Sequence, residues 1–542
     1  MDSRVFTFSV LGPSQGYFPT YRVSMAISAS FRWIRVRRGR SEAGLLRSVF
    51  RHFGVAGTCL LFALSSATAA PQKQFIRVAK RHGIWWLISP SGHRFICKAV
   101  DSIEWFPTPK DSEAYRAAMR SPNFAHLLRW GEGLPDHCVS AKQRAVAQLL
   151  HWGFNTVGAW SASLLNVSMH GHGMYATPVL SLGQGFIRDN KYCQKFPDVF
   201  SPMFRASAYR SAKIQCSPLK NNHKIIGWYS DNELRWGADW RGKNELLTVF
   251  LVYPIASPGH QAAVAFLRRR YHSFGGIVAF DRTWKQHFAS WKSLGRAGHV
   301  IQPYFLPLMA PSWPPRRSVA EEVLADRGHP DRARFVADCY AFLGKVARRY
   351  FHTSRDAIRA AAPNHLYLGA KDDYVPPPPV LKAESRYCDV LSIDLYGLHV
   401  DRKLLQVVGG KIGDVGPSAQ GGVLRQLRQL PRGKPFIIGE FSFRARDSGL
   451  PNTNWAGPLF NTQRQRAAAM TAYVHAVLGM PDCVGYCWYE YVDEPSNAPG
   501  HHNGENSNYG LLTRYDKPYI PLVQAFTRVN ARAVSIHESS LK

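Results

Sequence analysis

Eight short apolar runs recur along this chain at intervals that leave room for a helix between them. They are Phe95–Ser102, Asn155–Trp160, Pro178–Leu182, Lys224–Ser230, His365–Ala370, Val390–Tyr396, Pro435–Phe441 and Val484–Glu490. Each is rich in β-branched and aromatic residues and nearly continuous in apolar character, the pattern of a parallel strand covered on both faces. Amphipathic stretches lie between several of them. Phe335, Cys339, Phe342, Val346 and Tyr350 are spaced for one helical face, Arg464–Leu478 opens after Thr462, and a last helix is predicted from Ile520 to about Val534. Eight strands alternating with helices predict an α/β fold, a (β/α)8 TIM barrel. A small N-terminal β hairpin is expected at Phe75–Ser89, followed by a turn at Pro90-Ser91-Gly92.

The exported body is longer than a plain barrel of roughly 250 residues. The surplus sits mainly at 238–345, a large helical insertion after strand 4, within which Leu267–Leu294 reads as helical. Pro376–Pro379 is a stiff loop after the fifth strand. With no internal repeat and no long linker, 70–542 reads as a single (β/α)8 domain.

Residues 1–69 read as a leader. Val55–Ala70 is a short apolar core, arginines precede it, and Ala67-Thr68-Ala69 is an A-x-A cleavage site. That is the composition of a secretory signal peptide and too short for a spanning helix. Met25 is an alternative true start. The expectation is a periplasmic or secreted protein, cleaved near Ala69, with no stable membrane anchor afterwards; an uncleaved anchor is the rival reading. An oxidising compartment permits disulfides, and Cys193 and Cys216 form a plausible local pair, although the spacing of the cysteines leaves the pairing open. No Cys or His spacing suggests a metal site, and no cofactor is expected.

The chain carries 68 basic against 37 acidic residues, a formal +31. The leader holds nine Arg and two acids, so +24 stays with the body. Such a charge attracts polyanions. The basic residues are scattered, with short clusters such as Arg268-Arg269-Arg270 and no nucleic-acid motif beside them. Nucleic acid is therefore not expected as a partner, while an acidic polysaccharide stays open. Aromatics at 13%, including 15 Trp, suit a protein that stacks rings on sugars, and equally suit core packing.

In barrels of this kind the site lies at the C-terminal edge of the strands. The fourth run continues as IIGWYSDNELRWG and delivers Asn232-Glu233; the seventh continues as PFIIGEFSFR and delivers Glu440. A carboxylate directly after an apolar strand is costly unless it has a task or a partner. Paired carboxylates on facing strand ends are what glycoside hydrolysis needs. Each feature alone also has an ordinary structural explanation. Asp231 and Asp394 lie at strand ends too, and the sequence does not separate functional from structural roles for them.

The body resembles the clan A glycoside hydrolases, retaining enzymes on a (β/α)8 barrel. More narrowly, SDNELRWG (230–237), LGA (368–370), ASWKSL (289–294), GEFSFRARDSGLPNT (439–453), TQRQRAAAMTAYV (462–474), GYCWYEYVDEP (485–495) and NGENSNYGLL (503–512) resemble the β-agarase-like enzymes of family 50. The resemblance spans roughly 75–535 and departs from the expected pattern at Glu490, where Gln is expected. It implies a general acid/base at Glu233 and a nucleophile at Glu440. Asn232 would hydrogen-bond the sugar 2-hydroxyl, Tyr396 would orient Glu440, and Trp488 would floor the sugar at the cleavage point. Trp160 and Asn506 are further candidate sugar contacts. The function implied is a retaining hydrolase of β-linked, galactan- or agarose-type carbohydrate. An exo-acting β-galactosidase or β-glucosidase and a non-catalytic polysaccharide-binding barrel are the alternatives.

Overall fold

The computed structural model describes residues 74–103, 136–161, 173–193, 195–239, 241–304, 328–396, 427–453, 456–493 and 506–541. The leader, with its apolar core and A-x-A site, lies outside them. Among the described residues, no helix is long and apolar enough to cross a membrane.

The chain enters through three antiparallel strands, β1 (Arg77–Arg81), β2 (Ile84–Ile88) and β3 (Arg94–Phe95). The hairpin expected from Phe75 is therefore present, and it gains a third strand. The strands that follow are β4 (Cys97–Val100), β5 (Thr156–Val157), β6 (Tyr175–Ala176), β7 (Gly227–Trp228), β8 (Leu366–Tyr367), β9 (Asp372–Asp373), β10 (Leu391–Asp394), β11 (Phe436–Phe441), β12 (Arg444–Ala445), β13 (Leu459–Phe460) and β14 (Cys483–Trp488). Seven of them form one parallel sheet, in the order β6-β5-β4-β14-β11-β10-β9. β7 and β8 pair in parallel as a separate two-stranded sheet. Parallel bridges join Ala176 to Ile225 and Val179 to Tyr229. Every residue of β10, β11 and β14 is buried, as strands covered on both faces must be.

Helices cover the sheet: α1 (Asp136–His151), α2 (Leu182–Asp189), α3 (Pro202–Cys216), α4 (Leu246–Leu251), α5 (Pro258–Tyr271), α6 (Gly276–Trp284), α7 (Pro330–Ala361), α8 (Pro378–Tyr387), α9 (Gln463–Leu478) and α10 (Ile520–Glu538). Several begin with Pro at the first helical position, where its missing N–H costs nothing. Thr462 and Gln465 form a reciprocal capping box at the start of α9. The spacing read at Phe335–Tyr350 is the buried face of α7, which packs against α3 and α8.

Three expectations need correction. The third strand opens earlier than expected, at Tyr175–Ala176, and Pro178–Leu182 continues it only through a parallel bridge from Val179 to Tyr229, with Leu180 donating to the Tyr229 carbonyl at 3.0 Å. Pro178 has no N–H to donate to a ladder, and Leu182 already opens α2, where the buried Asp231 carboxylate accepts the N–H groups of Gly183 at 2.6 Å and Gln184 at 2.9 Å. The segment Leu267–Leu294 is not one helix; it breaks at Gly275 and Gly276, whose φ values of 87° and 61° suit glycine. Cys193 and Cys216 are unpaired, buried thiols. Both sit in the apolar core as small hydrophobic side chains.

Candidate active site

The parallel register sets the first two acids of the site. Asp394 at the end of β10 is the direct partner of Glu440 near the end of β11. Gly439 makes this closeness possible: a Cβ there would lie 2.4 Å from Asp394 Oδ1 and 2.5 Å from Ser392 Oγ. The third acid, Glu233, follows β7. Its φ of 45° is left-handed, a conformation that costs a non-glycine residue roughly 1–2 kcal/mol. Such strain persists only where surrounding contacts enforce it. Here the Glu233 N–H donates to the Lys371 carbonyl at 2.9 Å, and Arg241 Nη1 donates to the Glu233 carbonyl at 2.7 Å. One carboxylate oxygen from each of Glu233, Asp394 and Glu440 lies within 4.8 Å of the others.

Both oxygens of Glu440 are held. Tyr396 donates its hydroxyl to Oε2 at 2.6 Å, and Lys371 Nζ stands 3.1 Å from Oε1. With its amide nitrogen toward the acids, Asn232 donates to Asp394 Oδ2 at 3.1 Å and to Glu440 Oε1 at 3.2 Å. Lys371 is completely buried. It also lies 3.1 Å from Asp101 Oδ2 and 3.5 Å from Asp394 Oδ1, and it donates to the Gly439 carbonyl at 2.7 Å. Asp101, directly after β4, accepts the Ala159 N–H at 2.6 Å and the Cys487 thiol at 2.8 Å.

The protonation balance follows from burial and crowding of like charges. Burial raises Glu233 well above the ordinary glutamate range, and the neighbouring Asp373 and Glu440 raise it further against Arg241 and Lys371. Burial, then Glu440, raises Asp394, with Lys371 opposing. Burial pushes Asp101 up to about 6 against the pull of Lys371. For Lys371 itself, burial disfavours the ammonium, but Asp101, Asp394 and Glu440 outweigh that and hold it charged. The carboxylate trio is close enough to hold a cation, yet Lys371 already supplies a positive charge to two of its members.

Five of the seven residues singled out from sequence are placed as follows. Glu233, Asn232, Glu440 and Tyr396 converge. Trp160 joins their surroundings: its ring lies 5.2 Å from Lys371 Nζ and 6.2 Å from the Tyr489 ring. Trp488 does not present a face to a sugar. It is fully buried between Phe441, Phe443 and Phe526, with its indole N–H on the Tyr509 carbonyl. The next side chain, Tyr489, is only partly buried and lies near Tyr396, Tyr509 and Trp160. Strand alternation sends consecutive side chains to opposite faces, which is why the neighbour takes that place. Asn506 hydrogen-bonds Thr453 at 3.3 Å rather than any of the acids. Glu490 is fully buried.

The structure also separates the two undecided aspartates. Asp394 belongs to the acid cluster. Asp231 is structural: besides Gly183 and Gln184 it accepts the Tyr350 hydroxyl at 2.5 Å. Lys371, Asp101 and Asp373 were missed from sequence. The signal was present, since Asp101 lies at the end of the first apolar run and Lys371-Asp372-Asp373 follows the fifth. Nothing in the sequence points to Arg241.

No family model matches the chain. Among curated proteins, β-agarase B of Vibrio sp. (strain JT0107) is 24% identical over 513 residues, covering 84% of this chain and 48% of the relative. β-Agarase A of the same strain is 26% identical over 511 residues, covering 85% and 46%. The chain thus spans about half the length of the curated relatives it matches. Among solved structures, that of an exo-β-agarase matches with a TM-score of 0.61 at 22% identity, covering 86% of this chain and 66% of that one. That of another agarase matches with a TM-score of 0.58 at 20% identity, covering 86% and 65%. The described fold is therefore shared with agarases, and most of the chain is similar in sequence to two β-agarases, in keeping with the resemblance its motifs carry.

Proposed function

We propose that this protein is a retaining glycoside hydrolase that cleaves β-linked, agarose-type galactan by double displacement. The observation that carries the reading is the proximity of Glu233 and Glu440, with one oxygen of each within 4.8 Å. Retaining enzymes hold their carboxyl groups about 5–5.5 Å apart, whereas inverting enzymes separate them by about 6.5–9.5 Å to admit a water. The similarity to two β-agarases supports the substrate class.

In this mechanism Glu233, kept protonated by burial and by its acidic neighbours, gives its proton to the leaving glycosidic oxygen. Glu440, gripped through both oxygens by Tyr396 and Lys371, attacks the anomeric carbon from the opposite face. The glycosyl ester that forms removes the charge of Glu440. One of the causes that raise Glu233 then disappears, and Glu233 becomes a better base for the water that hydrolyses the ester. Asn232 stands beside Glu440, where it is placed to hydrogen-bond the 2-hydroxyl of the bound sugar. Tyr489 and Trp160 offer ring faces near the same point.

The strand pairings support a closed (β/α)8 barrel. The seven-stranded sheet ends on β6 and β9, the β6 edge continues by parallel bridges to β7, and β7 pairs with β8, which leads directly into β9. With its leader removed near Ala69, the 70–542 domain would act outside the cytoplasm, where a polymeric substrate is met. The test is Glu440→Ala assayed against agarose, carrageenan, pectic galactan and aryl β-glycosides. Turnover should fall at least a thousandfold on the substrate the parent cleaves, and azide should restore part of it as an inverted glycosyl azide. Activity within tenfold of the parent would remove the nucleophile from Glu440.

A further inference from the structure

Lys371 touches both halves of the catalytic pair through different atoms. Its ammonium stands 3.1 Å from Glu440 Oε1 and donates to the carbonyl of Gly439, the residue before Glu440, at 2.7 Å. Its own carbonyl accepts the Glu233 N–H at 2.9 Å. Lys371 and Glu233 both hold φ at 45°, so the two strained residues are tied to each other by that hydrogen bond. The ammonium is anchored from a third side by Asp101, which is locked in turn by the Ala159 N–H and pressed against Gly158, where a Cβ would lie 2.0 Å from Asp101 Oδ1. A lysine with no exposed surface cannot serve as a solvated surface charge. Burying it is costly unless it is paired and hydrogen-bonded, and here it donates to Asp101 and to the Gly439 carbonyl and forms an ion pair with Glu440.

We propose that Lys371 is the positioning residue that fixes the separation of Glu233 and Glu440, and that Asp101 is its anchor. It does not touch substrate. It sets the nucleophile through its side chain and the acid through its backbone, so that the β7 and β11 strand ends keep one spacing. This inference rests on the glycosidase reading for its kinetic test and on geometry alone for its chemical one.

The test compares the parent with Lys371→Met and with Lys371→Met/Asp101→Asn. The single variant leaves Asp101 buried without its cation and loses stability for that reason alone; the double variant removes both charges. The expected result is that the double variant regains the thermal midpoint lost by the single one, while its kcat stays about 100-fold below the parent, as a misplacement near 1 Å produces, with KM within about threefold and the acidic limb of the pH–rate profile moved to higher pH. A double variant with parental kcat and pH profile would overturn the proposal, because the ammonium would then serve only to neutralise Asp101. A parent inactive on every carbohydrate would instead defeat the glycosidase reading. In that case labelling of Glu440 by a carbodiimide and an amine, read by peptide mass spectrometry at pH 7, still decides: at least tenfold faster labelling in both variants supports the positioning role, and an unchanged rate overturns it.

Discussion

Replacing Tyr396 with Phe removes one hydroxyl and leaves the ring. That hydroxyl donates to Glu440 Oε2 at 2.6 Å, a short contact made inside a site where the Glu440 carboxyl, the proposed nucleophile, is almost fully buried. Hydrogen bonds to charged groups contribute about 1.5–3 kcal/mol net. If the contact orients the carboxylate in the transition state, its loss slows turnover by roughly 10- to 150-fold at 1.4 kcal/mol per decade. The remaining grip, from Lys371 at 3.1 Å and Asn232 at 3.2 Å, is all on Oε1. The carboxylate is then free to rotate about its own axis, and the loss should fall on kcat rather than on KM. The assay is initial-rate hydrolysis of an agarose-derived oligosaccharide from pH 4 to 9, with circular dichroism to confirm folding. A Tyr396→Phe protein whose kcat lies within a factor of two of the parent, with an unmoved profile, would refute the claim that this hydroxyl holds the nucleophile.

Other consequences are as direct. Glu233→Ala should slow cleavage of unactivated glycosidic bonds by about 10²- to 10⁴-fold, yet spare aryl glycosides whose leaving groups need no proton; equal losses on both substrates would contradict the acid assignment. Asp373 is, after burial, the largest cause that raises Glu233. Asp373→Asn removes a negative neighbour and so lowers the proton affinity of Glu233. Glu233 must be protonated for the first step, and the basic limb of kcat/KM should therefore move to lower pH; movement to higher pH would show the sign to be wrong. Asp231→Ala strips acceptors from Gly183, Gln184 and Tyr350 inside the core. At about 1–3 kcal/mol for each buried donor left unsatisfied, urea unfolding should show a loss of at least 2 kcal/mol, and a change below 0.5 kcal/mol would contradict its structural role.

Most of the strand order was legible, and Glu233 and Glu440, whose carboxylates meet in the fold, stood out, because both depend on local pattern. Continuous apolar runs such as Phe436–Phe441 and Cys483–Trp488 need burial on both faces wherever they sit, and a charged residue at the end of such a run stands out. The helix start after Thr462 was likewise readable, and its capping box with Gln465 is completed within one turn of chain. The errors fell where distant groups intervene. The third strand starts at Tyr175, before its apolar run, and gives way to α2 where Asp231, about 50 positions on, accepts the first N–H groups of that helix. The reading of Trp488 failed because a run buried on both faces carries no alternation to say which side chain faces the site, and its ring went to Phe441 and Phe526 while Tyr489 took the site side.

Read along the chain alone, strands and helices alternate, carboxylates stand at the ends of the fourth and seventh apolar runs, and the motifs around them resemble those of agarase-like enzymes. How far apart those carboxylates stand, and the buried lysine that meets both, emerge only from the folded chain. Periodicity and capping act over a few residues and are written in the chain. The distance between Glu233 and Glu440, and the meeting of Lys371 with Asp101 across 270 positions, depend on how whole strands pack, and electrostatic interaction follows distance in space rather than along the chain.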